Sequence, residues 1–258
     1  MELNLTKEQS LVNLDLRKKD IISLCMEKPI LNTQKSRVAV VMDFSGSMGR
    51  LYRNGTVQAV LERLLPIAMQ FDDNGEMELW TFDDGFRRFP NITINNFYGY
   101  VQREILDKQY HMGTTYYAPV IKDVTKKYMQ EEPANLPNYV LFITDGDNFD
   151  KSETKNIMTE YSKYPIFWQF VGIGDEEFSF LKKLDDMSGR YVDNADFFSL
   201  NDFQRIDDNE LYRRLLTEYP QWLALPQVQS MIQGNIPNFS NAQATEPKKK
   251  GLFGKLFS

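Results

Sequence analysis

Apolar runs and polar breaks alternate along the chain with the periods of an α/β protein. Arg37–Met42, Tyr139–Thr144 and Pro165–Gly174 are β-branched and aromatic stretches with no polar alternation, as expected of strands covered on both faces. Met77–Phe82 is a further strand, and Asp83-Asp84-Gly85 suits a hairpin turn into Phe86-Arg87-Arg88-Phe89. Helical periods fill the gaps. Val57, Val60, Leu61, Leu64, Ala68 and Phe71 share one face of a helix over Thr56–Phe71, which Pro66 is expected to kink. Val120, Val124 and Tyr128 mark a second helix, Ser152–Tyr161 a third, and Leu181 with Leu184 a fourth. Leu211, Leu215 and Leu216 mark a last one, ending near Pro220, and Phe97–Leu106 holds a shorter one. Arg190-Tyr191-Val192 reads as a short final strand. Strand and helix in repeated alternation predict an α/β fold: a doubly wound, mostly parallel sheet with helices on both faces.

The ends of the chain follow different rules. Residues 1–35 form an N-terminal segment expected to pack on the main domain at 36–223. In it, Leu3 with Leu5 and Leu14 with Leu16 alternate like short strands. Asp20–Lys28 suits a helical turn or two, with Ile21, Leu24 and Cys25 on one side and Pro29 as the stop. Residues 224–247 read as a helical turn and a flexible linker, the Asn, Gln, Pro, Ala and Thr bias beginning near Gly234. Residues 248–258 form a basic amphipathic tail, with Leu252, Phe253, Leu256 and Phe257 beside four lysines. It suits weak docking on an anionic membrane surface, on a partner, or back on the acidic body.

Composition narrows the function classes. With 258 residues, 42% apolar and 13% aromatic, the chain is long and apolar enough for a full core. The single cysteine, Cys25, excludes an internal disulfide framework and a cysteine-rich metal site. Neither a signal peptide nor a membrane-length apolar run is present, so the expected compartment is the cytoplasm, membrane-peripheral if the tail binds lipid. A formal charge of −6, about −10 without the tail, argues against nucleic acid as a partner.

The candidate chemistry sits where the strands end. The Arg37–Met42 strand runs into Asp43-Phe44-Ser45-Gly46-Ser47, three oxygen-bearing side chains on one bend. Such a turn lies where open α/β sheets bind ligands. Hard oxygens suit Mg²⁺ or Mn²⁺. A second strand ends on Asp145-Gly146-Asp147, and between them His111-Met112-Gly113-Thr114-Thr115 leads into a helix with Pro119 in its first turn. Helix caps and turn formers would explain these residues singly, but not why they follow apolar strands.

Enzyme readings fit less well. A phosphatase of the haloacid dehalogenase type needs a second carboxylate two residues after its Asp, and Ser45 stands there. Phosphate-cradling glycine patterns are missing. His111 is a lone imidazole with no nucleophile set around it. Asp147, Asp83 and Asp84 read as turn residues, and Trp80 and Trp168 as core.

In this order, Asp-x-Ser-x-Ser, a Gly-Thr loop and an Asp-Gly after a strand resemble the metal-ion-dependent adhesion site of von Willebrand factor A-type (vWA) domains. Gly55-Thr56-Val57-Gln58, Phe71–Gly75, Leu79-Trp80, Trp168–Gly174, Leu184–Met187, Gly189-Arg190 and Val192–Phe198 narrow the likeness. They resemble the cytoplasmic A-type domain proteins of bacterial tellurium-resistance and stress-response gene clusters. The resemblance covers roughly residues 36–223. It implies a Rossmann-like fold, a divalent-metal site and a protein-binding role, and no defined enzymatic activity. By the same resemblance Asp43, Ser45 and Ser47 form the first metal loop and Asp145 supplies the last carboxylate. The usual Gly-Gly-Thr with Pro four residues on selects Thr115, with Thr114 as the alternative. A partner's Asp or Glu would complete the metal shell.

Overall fold

Why Asp43 and Asp145 meet is set by strand order. The computed structural model describes residues 5–203 and 205–239; the basic tail at 248–258 and Leu3 lie outside that range. In chain order the elements are α1 (Lys7–Glu27), α2 (Ile30–Thr33), β1 (Arg37–Asp43), α3 (Gly49–Arg53), α4 (Thr56–Phe71), β2 (Met77–Phe82) and β3 (Phe86–Ile92). Short π and 3₁₀ turns at Val101–Ile105 and Leu106–Lys108 lead to α5 (Ala118–Lys126), β4 (Asn138–Thr144), α6 (Lys151–Tyr161) and β5 (Ile166–Ile173). The chain continues through α7 (Ser179–Asp185), β6 (Ala195–Leu200), α8 (Asp208–Leu215), α9 (Tyr219–Leu223) and α10 (Pro226–Ile232).

Among the described residues one six-stranded sheet forms, in the order β3-β2-β1-β4-β5-β6. β3 pairs antiparallel with β2, and every other neighbouring pair is parallel. The order reverses between β1 and β4, so the crevice at their carboxyl ends is the topological switch point. Burial explains the strand composition: β4 and β5 are buried at every position. One apolar cluster, with Leu64, Leu141 and Leu211, fills the face under α1, α4, α8, α9 and α10. The other, with Val120, Phe142 and Met158, lies under α5, α6 and α7. Trp80 and Trp168 are in it, fully buried. No described helix is long and apolar enough to cross a membrane.

Three expectations need correction. Leu14 and Leu16 do not lie in strands; both belong to the 21-residue helix α1. Thr6 and Gln9 start it with a reciprocal capping box, which satisfies two N–H groups otherwise orphaned. Leu14 is 1% exposed and Leu16 53%, because two residues apart on a helix point to different faces. The last strand is Ala195–Leu200, not Arg190–Val192. The Tyr191 N–H is taken by Ser162 Oγ at 2.7 Å, and the pairing with β5 begins only at Ala195, opposite Trp168. Finally, α8 stops at Leu215, and Pro220 sits in the first turn of α9, where its missing N–H is harmless.

Candidate metal centre

Asp43 is the last residue of β1 and the turn after it folds back on its carboxylate. Ser45 N–H donates to Asp43 Oδ1 at 2.7 Å. The register that sets Met42 beside Ile143 brings the next residue of β4, Thr144, beside Asp43. Thr144 Oγ1 donates to Asp43 Oδ2 at 2.6 Å. Tyr52, on α3, donates to the Asp43 carbonyl at 3.0 Å and packs edge-on against Phe44. The loop is thus pinned at both ends before any ligand is considered.

Four of the five expected residues form one continuous set. The Ser45 and Ser47 hydroxyls are 3.0 Å apart, and Ser47 Oγ donates to Asp145 Oδ1 at 2.8 Å. The links run from Asp43 through the Ser45 N–H, then from the Ser45 hydroxyl to Ser47 and on to Asp145 across the switch point.

Thr115 arrives on a separate loop. Ser45 and Gly113 form a parallel bridge, and Gly46 N–H donates to the Gly113 carbonyl at 3.2 Å. Thr115 is buried while Thr114 is exposed. Its carbonyl accepts from Phe149 N–H at 3.0 Å. Among the described residues its hydroxyl makes no hydrogen bond to the other four. The loop lies on the Asp83–Asp84 turn: Asp83 O accepts from Tyr116 N–H at 2.9 Å. A Cβ added at Gly113 would stand 3.2 Å from Cβ of the buried Asp83 and would push the exposed Asp84 carboxylate aside, so the close approach favours glycine.

The residues that hold this arrangement were not singled out from the sequence. Tyr117 donates towards Thr144 Oγ1 at 3.2 Å and the Gly146 carbonyl at 2.6 Å. Asp150 accepts from the N–H groups of Tyr117 and Ala118 at 3.0 and 2.7 Å, capping α5 from a distant segment. Neither has a local sequence signal. Asp147 is occupied by Lys151 at 2.6 Å, and His111 is exposed.

Electrostatically the site is strained towards a cation. Burial pushes the Asp43 carboxyl up to about 6, against the hydrogen bonds from Ser45 and Thr144 that hold it down. Burial likewise raises Asp145, opposed by Ser47. A buried carboxylate without a counter-charge is costly. The donors are all hard oxygens, and Ser47 is exposed, so the set fits a small divalent ion approached from solvent.

Comparisons with known proteins agree with this fold. The chain is 43% identical over 250 residues to the Bacillus subtilis (strain 168) uncharacterized protein YcbR, covering 96% of this chain and 100% of that one. It is 26% identical over 147 residues to Copine-F of Dictyostelium discoideum, spanning 50% of this chain and only 26% of that one. Among solved structures, the SpRpn10 VWA domain matches with a TM-score of 0.50 at 12% identity, over 76% of this chain and 97% of that chain. Proximal thread matrix protein 1 from the mussel byssus matches with a TM-score of 0.50 at 15% identity, over 77% of this chain and 47% of that chain. The profile of the vWA domain found at the TerF C terminus matches residues 35–232, and the chain belongs to this vWA-TerF-like family, whose name carries the tellurium-resistance link.

Proposed function

We propose that the protein is a divalent-metal-dependent protein-binding module in a cytoplasmic stress or tellurium-resistance system. The observation that carries this reading is the continuous oxygen set Asp43, Ser45, Ser47 and Asp145 at the switch point. Domains of vWA type are often metal-dependent interaction modules. Asp43 and Asp145 supply charge, Ser45 and Ser47 supply neutral oxygens, and Thr115 stands on the adjoining loop. Mg²⁺ or Mn²⁺ held there would act as a Lewis acid towards an incoming oxygen ligand. Two carboxylates leave no excess negative charge around such an ion, so it stays electrophilic and a partner's Asp or Glu can take the open position. Thr144 and Tyr52 keep the Asp43 loop in place while the partner exchanges.

Calorimetry on metal-stripped protein tests the reading. Mg²⁺ or Mn²⁺ should bind with micromolar to millimolar affinity, on the order expected for exposed oxygen sites. Asp43→Ala should abolish that binding and the accompanying rise in melting temperature. Heat of the same size in Asp43→Ala would refute it. A panel of phosphate esters and nucleotides separates the enzyme alternative: turnover lost in Asp43→Asn would make the protein a phosphohydrolase instead.

A further inference from the structure

Among the large apolar side chains of the described residues, Phe149 is the most exposed, at 72%. It stands in the loop between β4 and α6, just past Asp145. A single exposed ring is ordinary on a protein surface. Two features set this one apart. Its ring centroid lies 6.0 Å from that of Tyr116, which is itself 37% exposed. The pair is also joined to the candidate metal centre, because Phe149 N–H donates at 3.0 Å to the carbonyl of Thr115, the residue before Tyr116. One ring thus comes from each of two ligand loops, at the end of the sheet where such folds bind ligands.

The backbone under both rings is tied down. Asn148 is 3% exposed, and its Nδ2 donates to Asp150 Oδ1 at 2.6 Å and to Thr154 Oγ1 at 2.9 Å. Asp150 in turn caps α5, and Tyr116 N–H is taken by the Asp83 carbonyl at 2.9 Å. Neither loop can draw its ring inward by moving its backbone without breaking these bonds. A pre-organised aromatic surface loses little conformational entropy on binding, which is why such rings anchor interfaces.

Charge at the mouth comes from α3, directly after the serine loop. Arg50 and Arg53 are exposed, and among the described residues neither forms an ion pair. Arg53 Nη1 lies 3.1 Å from where a Cβ on Gly49 would stand, as does Met112 Sδ from the segment leading to Gly113. The guanidinium is therefore held between the serine loop and the threonine loop. In an otherwise acidic body these cations offset Asp84, beside Gly113, and Glu176, whose charge bears on Asp145. An acidic segment can approach without net repulsion.

We propose that Tyr116 and Phe149 form an apolar docking surface beside the metal centre, and that the partner is an acidic peptide segment whose metal-bound Asp or Glu is followed within a few residues by a bulky apolar side chain packed on these rings. The inference rests on the metal-dependent reading above and adds what the partner must carry besides a carboxylate. Covering the rings also shields the carboxylate–metal contact from water, which strengthens it.

The test is a phage-displayed library of random short peptides, panned on the full-length protein in Mg²⁺ and eluted with EDTA. Enriched peptides should pair an Asp or Glu with a nearby aromatic or large aliphatic residue. Fluorescence polarisation of the best peptide should weaken about tenfold or more in Phe149→Ser and in Tyr116→Ser, typical of losing an aromatic anchor. Met26→Ser, at a residue 71% exposed on α1, should bind it like the wild type, and Phe149→Ser should keep wild-type Mg²⁺ affinity by calorimetry. Wild-type peptide affinity in both ring variants, with binding lost in Asp43→Ala, overturns the inference and leaves the metal reading standing. Enriched peptides that carry an acid but no bulky apolar residue overturn it as well. Peptide binding that survives in Asp43→Ala refutes the metal reading itself, and the inference with it.

Discussion

Asp43→Asn should make the metal-free protein more stable while removing its metal binding. The wild-type carboxylate is fully buried, and burial moves its pKa from 3.8 to about 6. The folded-state value lies above the unfolded one, so the proton is held more tightly in the native protein. The carboxylate therefore costs nothing below about pH 4, an increasing amount between about pH 4 and 6, and its full amount above that. The full amount is about 3 kcal/mol at 1.36 kcal/mol per pH unit. Asparagine keeps an oxygen for Ser45 N–H. Thr144 can give its proton to the Gly146 carbonyl, already 3.1 Å away, and accept from the new amide. Allowing for that exchange, a gain of about 1–3 kcal/mol is expected at pH 7.5 in chelator, or roughly 3–10 °C in Tm. Thermal melts in EDTA at pH 7.5 and pH 4 measure it. With Mg²⁺ at a hundred times its Kd the wild type should recover about 2.7 kcal/mol and the variant nothing. A variant less stable than wild type at pH 7.5, or a difference that persists unchanged at pH 4, refutes the reasoning.

The threonine and glycine of the second loop give further tests. Thr115→Ala should weaken Mg²⁺ or Mn²⁺ binding by about tenfold, the loss of one neutral oxygen donor, whereas the exposed Thr114→Ala should leave calorimetric affinity unchanged; the reverse pattern would transfer the role to Thr114. Gly113→Ala should destabilise by about 1 kcal/mol in urea melts, because its methyl presses on Asp83 Cβ at 3.2 Å and displaces the exposed Asp84 carboxylate. Wild-type Mg²⁺ affinity should fall about tenfold per pH unit below pH 6, as the ion competes with the Asp43 proton, and calorimetry across pH 5–7.5 follows it.

β1, β4 and β5 were legible because they are buried on both faces, which leaves an apolar run rich in β-branched and aromatic residues. The ligand loops were legible for the same reason: Asp43 and Asp145 stand at the ends of such runs. Their adjacency was not, since it depends on β1 lying beside β4, and so Thr144 passed as the end of a strand. Helix α1 was misread because few of its positions face the core. Leu14, Ile21, Leu24 and Cys25 are buried within a polar sequence, and Leu14 with Leu16 imitates alternation. The Thr6–Gln9 capping box was the signal that would have found it. β6 was misplaced because, as an edge strand, it is only half-buried along most of its length, and Asp196 and Ser199 break its apolar residues into neither an unbroken run nor an alternation.

Affinity capture from native lysate with the full-length chain is the most direct test of metal-dependent protein binding. The account predicts a discrete protein retained in Mg²⁺, released by EDTA and recaptured when Mg²⁺ is restored. Asp43→Ala and Asp145→Ala should lose it. Capture of the same protein in EDTA, or by both aspartate variants at wild-type level, would contradict the account.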